Sequence, residues 1–207
     1  MSRAPQLPRL YAIVDSSFIG GNGKSLLRFA EELVKGGATL IQYRNKTGSS
    51  PEVLSESREL RRAAPAATLI MNDRPDLCLA AGFDGVHLGQ EDLSPTAARK
   101  ILGPGSWIGV SAHNLGQVKE ADARATNYVA IGPVFATRSK RNPDPVIGLD
   151  GVRAARAATR KPLVAIGGIT RANCRDVIEA GADCVAVISD LVGSPRKSVE
   201  AFLRNLE

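Results

Sequence analysis

Ala180-Gly-Ala-Asp-Cys-Val-Ala-Val-Ile-Ser189 holds the pattern from which the fold follows. Alanine and glycine end a helix, a polar residue turns the chain, and a short apolar run stops at a serine. The same order recurs in Lys35-Gly-Gly-Ala-Thr-Leu40 and Ala81-Gly-Phe-Asp-Gly-Val86, and more weakly in Ala125-Thr-Asn-Tyr-Val129. Each copy is a helix end, a small-residue turn and a strand, so one βα unit is being reused.

Extending the pattern along the chain gives eight short apolar runs: Leu10–Val14, Ala38–Tyr43, Ala67–Met71, Asp84–Leu88, Trp107–Val110, Tyr128–Ile131, Leu163–Ile166 and Cys184–Ile188. They are nearly continuously apolar, as parallel strands covered by helices must be. Helical spacing fills the intervals. Ser94-Pro95 is a cap with proline in the first turn, Asn114 caps the segment through Ala123, Asp150 is expected to cap the helix that follows it, and Thr170 precedes a helix ending near Ala180-Gly181. The expected fold is α/β, a single compact (β/α)8 TIM barrel over residues 10–207 with a short N-terminal arm, 1–9. A doubly wound open sheet is the rival, but no GxGxxG follows the first strand.

The 207 residues suffice for one core, and 43% apolar with 23% charged residues is an ordinary globular balance. No apolar run approaches the roughly 20 residues of a membrane span, and no signal-peptide core follows the first residues, so a cytoplasmic protein without membrane contact is expected. The net charge of +6 suits phosphorylated small molecules. Nucleic acid is not expected, because the arginines are scattered and aromatics make up 4% of the chain. Cys78, Cys174 and Cys184 match neither zinc nor redox spacing and read as buried thiols. A homodimer is compatible with the sequence, which does not set oligomeric state.

In a barrel, chemistry gathers where the strands end. Here those ends carry Asp15, Gln42 to Lys46, Asn72-Asp-Arg74, Gly89 to Asp92, Ser111 with His113, Gly132 to Lys140, Gly167-Gly168 and Ser189-Asp190. Gln42, Arg44 and Lys46 alternate, which aims an amide and two cations at one polyanion. Asp73 and Asp92 close neighbouring strands, and two carboxylates beside phosphate-binding cations suggest Mg²⁺. The loop after strand six is long enough for a lid. Gly167-Gly168 and Ser189 suit a phosphate held by backbone amides. His87 reads as structural, and His113 as a supporting residue or a proton carrier.

Together these stretches resemble the thiamine-phosphate synthases. The matching segments are Gln42-Tyr-Arg-Asn-Lys46, Asn72-Asp-Arg-Pro-Asp76, Val86-His-Leu-Gly-Gln-Glu-Asp92, Ile108-Gly-Val-Ser111, Gly132-Pro-Val-Phe135, Ala165-Ile-Gly-Gly-Ile169 and Val185-Ala-Val-Ile-Ser189. The resemblance implies a transferase with two phosphorylated substrates. It would condense hydroxymethylpyrimidine diphosphate with hydroxyethylthiazole phosphate, giving thiamine phosphate and pyrophosphate. It implies pyrimidine diphosphate contacts at Gln42, Tyr43, Arg44, Asn45, Lys46, Asn72, Ser111 and Lys140. Thiazole phosphate contacts would be Thr137, Arg138, Ser139, Gly168, Ile188 and Ser189. Asp73 and Asp92 would be the Mg²⁺ ligands, and Arg44, Lys46, Ser111 and Lys140 the catalytic set. Family members often have a second threonine where Ser139 stands, and serine keeps the hydroxyl.

Three rival readings stay open. A thiazole tautomerase would rely on His113 as proton shuttle, and Asp73, Asp92 and the Gln-x-Arg-x-Lys set argue against it. Another phosphate-handling barrel, or a non-enzymatic binding barrel, would tolerate a broken cation or carboxylate set, and none is broken.

Overall fold

Strand alternation sorts the side chains of this chain into two cores. The computed structural model describes residues 7–19, 23–137, 139 and 144–207. Eight strands run as β1 (Leu10–Asp15), β2 (Leu40–Arg44), β3 (Thr68–Asn72), β4 (Gly85–Leu88), β5 (Trp107–Ala112), β6 (Tyr128–Ile131), β7 (Leu163–Ile166) and β8 (Cys184–Val187). All neighbours pair in parallel, and β8 returns to β1 through Tyr11↔Ala186, so the sheet closes into the expected barrel. Outside it lie α1 (Ser16–Ile19), α2 (Gly23–Lys35), α3 (Ser50–Ala63), α4 (Pro75–Ala81), α5 (Pro95–Leu102), α6 (Leu115–Ala123), α7 (Gly148–Ala158), α8 (Cys174–Glu179) and α9 (Pro195–Leu206), with a 3₁₀ turn at Ser189–Leu191.

Outward residues such as Ile41, Leu69, Val86 and Val129 pack with the helices. Inward ones, among them Tyr11, Ile13, Ile70, Tyr128 and Val164, fill the barrel. Two glycines make room for neighbouring strands, one for a ring and one for backbone. A Cβ on Gly109 would lie 1.9 Å from Tyr128 Cζ, and one on Gly85 would lie 2.3 Å from the Trp107 carbonyl oxygen. A side chain at either position would overlap atoms that close packing cannot move aside.

Several boundaries differ from expectation. β1 begins at Leu10 as expected, and the residues before it pack against the barrel: Leu7 is buried among the inward residues, and the Val185 amide donates to the Arg9 carbonyl at 2.9 Å. The turn α1 was not foreseen. Asp15 Oδ1 accepts from both the amide and the hydroxyl of Ser17, at 3.0 and 2.6 Å, which bends the chain into it. Ser94 and Asn114 do cap α5 and α6, accepting from Ala97 at 3.3 Å and Gln117 at 3.0 Å. Asp150 does not cap its helix. α7 starts at Gly148, and Asp150 sits in the first turn, where a carboxylate still complements the dipole. Thr170 precedes α8, as expected; the helix starts behind Asn173, whose side chain accepts from the Thr170 amide at 2.7 Å.

All three cysteines are buried and unpaired, as expected, and burial pushes the Cys78 thiol up to about 12. Among the described residues no helix is long and apolar enough to cross a membrane.

Candidate active site

The period of two that fills the barrel also selects what reaches its mouth. Inward positions at the C-terminal strand ends line a cavity of about 520 Å³. Gln42, Arg44, Lys46, Asn72, Asp73, Asp92, Ser111, Thr137, Ser139, Gly168, Ile188 and Ser189 all face it. Deeper in the strands, Ile13, Ala130, Val164, Ile166 and Ala186 give it an apolar lining. An apolar slot with a few convergent polar groups is the usual form of a small-molecule site.

On the β1–β4 side the polar groups are ionic. Arg44 is paired with Asp15, whose side chain is 1% exposed. A buried carboxylate at the end of β1 thereby holds the guanidinium at the cavity edge. Lys46 is paired with Asp73. Asp73 sits at φ +63°, a left-handed conformation uncommon outside glycine, and its amide donates to the His87 carbonyl at 2.8 Å. Asp73 there faces the cavity with Asp92, whose Oδ2 accepts from the Gly89 amide at 2.7 Å. Burial, then the neighbouring Asp73, raises the Asp92 carboxyl above its ordinary range. Among the described residues no cluster of three or more His, Cys, Asp or Glu that could hold a metal occurs.

On the β4–β6 side stand the two histidines. His87 stacks on Tyr128 with ring centroids 5.6 Å apart and bonds through both nitrogens, to Tyr128 Oη at 3.0 Å and Ser111 Oγ at 2.9 Å. Burial pushes the imidazole down to about 4, so it is neutral near pH 7. His87 is therefore a satisfied residue, as expected, but one that touches the cavity-lining Ser111. His113 donates through Nδ1 to the Gly132 carbonyl at 2.8 Å and lies 3.4 Å from Asp144. It thus ties the end of β5 to both ends of the loop that follows β6.

At β7 and β8 the backbone faces the cavity. Gly167 and Gly168 have φ of +101° and +65°. A Cβ on Gly168 would lie 2.5 Å from the Ala136 carbonyl oxygen, so only glycine lets the two loops meet. The Phe135 amide donates to the Gly167 carbonyl at 3.0 Å, and Asn173 Nδ2 to the Gly168 carbonyl at 3.1 Å. Arg171 joins Asp190 through its amide and its guanidinium, linking the β7 and β8 loops.

Two expected contacts are not brought to the cavity. Tyr43 is buried outside the barrel and donates to Glu56, and Asn45 donates to the same carboxylate at 3.2 Å while accepting from the Gly48 amide at 2.8 Å. Both occupy the alternate positions between Gln42, Arg44 and Lys46, so the pleat turns them away. Arg138 and Lys140 lie outside the described residues. Sequence reasoning gave no role to Asp15, Tyr11 or Tyr128. Asp15 and Tyr11 share the inward parity of β1, and Tyr128 faces Gly109. Those patterns were the available signals.

The thiamine monophosphate synthase family model matches residues 10–191. The chain is 58% identical to a thiamine-phosphate synthase of Koribacter versatilis, over 100% of this chain and 99% of that one. It is 43% identical to a thiamine-phosphate synthase of Chloroflexus aurantiacus, over 90% of this chain and 86% of the other. The structure of a thiamine phosphate pyrophosphorylase from Pyrococcus furiosus superposes with a TM-score of 0.86 at 34% identity, covering 96% and 95% of the two chains. A 3-hexulose-6-phosphate synthase superposes at TM-score 0.73 with 17% identity, which speaks to the fold alone. With its motifs at the strand ends of a closed barrel and its match across nearly the whole length, this chain belongs to the thiamine monophosphate synthase family.

Proposed function

We infer that this barrel is a transferase joining hydroxymethylpyrimidine diphosphate to hydroxyethylthiazole phosphate, with release of pyrophosphate. The observation that carries the reading is the division of one cavity into an ionic side and a backbone side. A diphosphate leaving group suits the first, and an anchored monophosphate suits the second.

Pyrophosphate leaves readily only when its charge is offset. Arg44 and Lys46, held by Asp15 and Asp73, are placed to do this, and Lys140 would add a third cation. Asn72 and Gln42 would orient the pyrimidine diphosphate, and Ser111 would hold the pyrimidine at the far wall. The apolar surface of Val164, Ile166 and Ile188 excludes water from the reacting carbon. The aminopyrimidine supplies electrons as its methylene C–O bond breaks, and the thiazole nitrogen then forms the new C–N bond. That nitrogen carries no proton, so no general base is required. Thr137, Ser139, Gly168, Ile188 and Ser189, with Arg138, would hold the thiazole phosphate near the methylene.

Asp73 and Asp92 fit Mg²⁺. Both carboxyls face the cavity, and burial, then the neighbouring Asp73, raises the Asp92 carboxyl, so a divalent cation there would offset the repulsion between them. When bound, Mg²⁺ would neutralise the diphosphate oxygens as a Lewis acid.

The test is to mix the protein with both substrates and Mg²⁺ and follow both products. Release of thiamine phosphate and pyrophosphate in equal amounts, requiring all three components, is the expected result. Folded protein that couples nothing, yet isomerises the thiazole phosphate alone, would replace the synthase reading with the tautomerase one.

A further inference from the structure

Beneath the cavity, five side chains from five strands form one continuous hydrogen-bonded chain. Gln42 Nε2 donates to Tyr11 Oη at 2.8 Å. Tyr11 Oη lies 3.0 Å from Tyr128 Oη. Tyr128 Oη lies 3.0 Å from His87 Nδ1, and His87 Nε2 lies 2.9 Å from Ser111 Oγ. Gln42, Tyr11, Tyr128 and His87 are each at least nine-tenths buried, so these groups must satisfy one another.

Counting protons sets the direction. Tyr11 already accepts from Gln42, so its own proton needs an acceptor, and Tyr128 Oη is the one in reach. Tyr128 has then accepted, and passes its proton to His87 Nδ1. A neutral imidazole that accepts at Nδ1 carries its hydrogen on Nε2 and donates to Ser111 Oγ. Run the other way, the chain would need the Gln42 carboxamide turned so that its oxygen accepts from Tyr11, opposite to the donation seen here.

We propose that this chain is a positioning device with one polarity, in which Tyr11, Tyr128 and His87 hold His87 as the Nε2–H tautomer. It commits one acceptor position of the Ser111 hydroxyl to His87, freeing its proton to donate into the cavity, and one amide hydrogen of Gln42 to Tyr11, with the carboxamide oxygen free to accept. The two ends therefore favour a ring that offers an acceptor toward β5 and a donor toward β2. An aminopyrimidine has both, in its ring nitrogens and its exocyclic amine. What the two ends hold rests on the function proposed above, whereas the polarity does not. Tyr11, Tyr128 and His87 are positioning residues, acting through Gln42 and Ser111.

The tautomer is read directly by long-range ¹H–¹⁵N correlation on ligand-free, ¹⁵N-histidine-labelled protein. The chain has two histidines, so the spectrum of His113→Gln assigns the signals. A His87 ring with pyrrole-type Nε2 and pyridine-type Nδ1 is expected, and the opposite tautomer overturns the polarity. Tyr128→Phe, which removes only the hydroxyl, is expected to convert the ring to a tautomer mixture. It should raise KM for the pyrimidine diphosphate about tenfold and leave KM for the thiazole phosphate unchanged within about twofold. Unchanged constants, or an equal rise for both substrates, would remove the positioning role. Tyr11→Phe makes the same test one link further away, should Tyr128→Phe not fold. A wild-type protein that couples nothing but shows the Nε2–H tautomer would defeat the functional reading and leave the polarity standing.

Discussion

The β1–β4 edge of the cavity and the β7–β8 edge are built by opposite means. The first presents charged side chains in two ion pairs, Arg44 with Asp15 and Lys46 with Asp73, with Asp92 beside the second. The second presents glycines at positive φ and a serine. On the proposed function, the difference would follow the task. A leaving diphosphate gains charge as its bond breaks, so mobile cations and a carboxylate pair for a metal serve it. A monophosphate that only anchors its ring keeps constant charge, and fixed amides serve it without a buried cation to desolvate.

Substitutions can break that division. Arg44→Met should have the largest effect. It leaves Asp15 buried and unpaired, and should cut coupling about a thousandfold while lowering unfolding stability by about 3 kcal/mol. Steady-state kinetics and urea unfolding measure the two, and a normal rate would take Arg44 out of the leaving-group site. Asp92→Asn should lower turnover about a hundredfold and abolish the response to added Mg²⁺, with the affinity for thiazole phosphate intact. Full turnover at limiting Mg²⁺ would contradict the acidic pair as a metal site. Gly168→Ala tests the opposite edge. Its methyl meets the Ala136 carbonyl, and the left-handed backbone adds about 1 kcal/mol of strain. Calorimetric titration should show thiazole phosphate binding weakened about tenfold and pyrimidine diphosphate binding unaltered. Weakening of both in equal measure would mean that the edges are not separate. The smallest effect is expected from Tyr43→Phe, which loses the bond to Glu56 outside the barrel. About 1 kcal/mol of stability should go, with kinetic constants within about twofold. A large rise in KM would return Tyr43 to the substrate.

The last prediction marks where reading by motif and reading by geometry part. Gln42 to Lys46 match the family as a block, but the pleat divides the block, and only Gln42, Arg44 and Lys46 reach the cavity. The alternation was visible in the sequence and is the better guide. Asp150 shows a second limit of local reading. It is a good capping residue near a helix start, yet the turn at Gly148 places that start elsewhere.

By itself the sequence determined the eight repeated units, the inward parity of the strands and the polar residues at their ends. These follow from periods of two and 3.6 and from turn chemistry, which act within a few residues. Only the closed barrel decided that Asp15 would hold Arg44 across 29 positions, or that Tyr11 and Tyr128, 117 positions apart, would share a proton chain. Such pairings depend on strand register and on the Tyr128 ring seated against Gly109. Register is settled by the whole ring closing at once, and no local stretch of residues carries it.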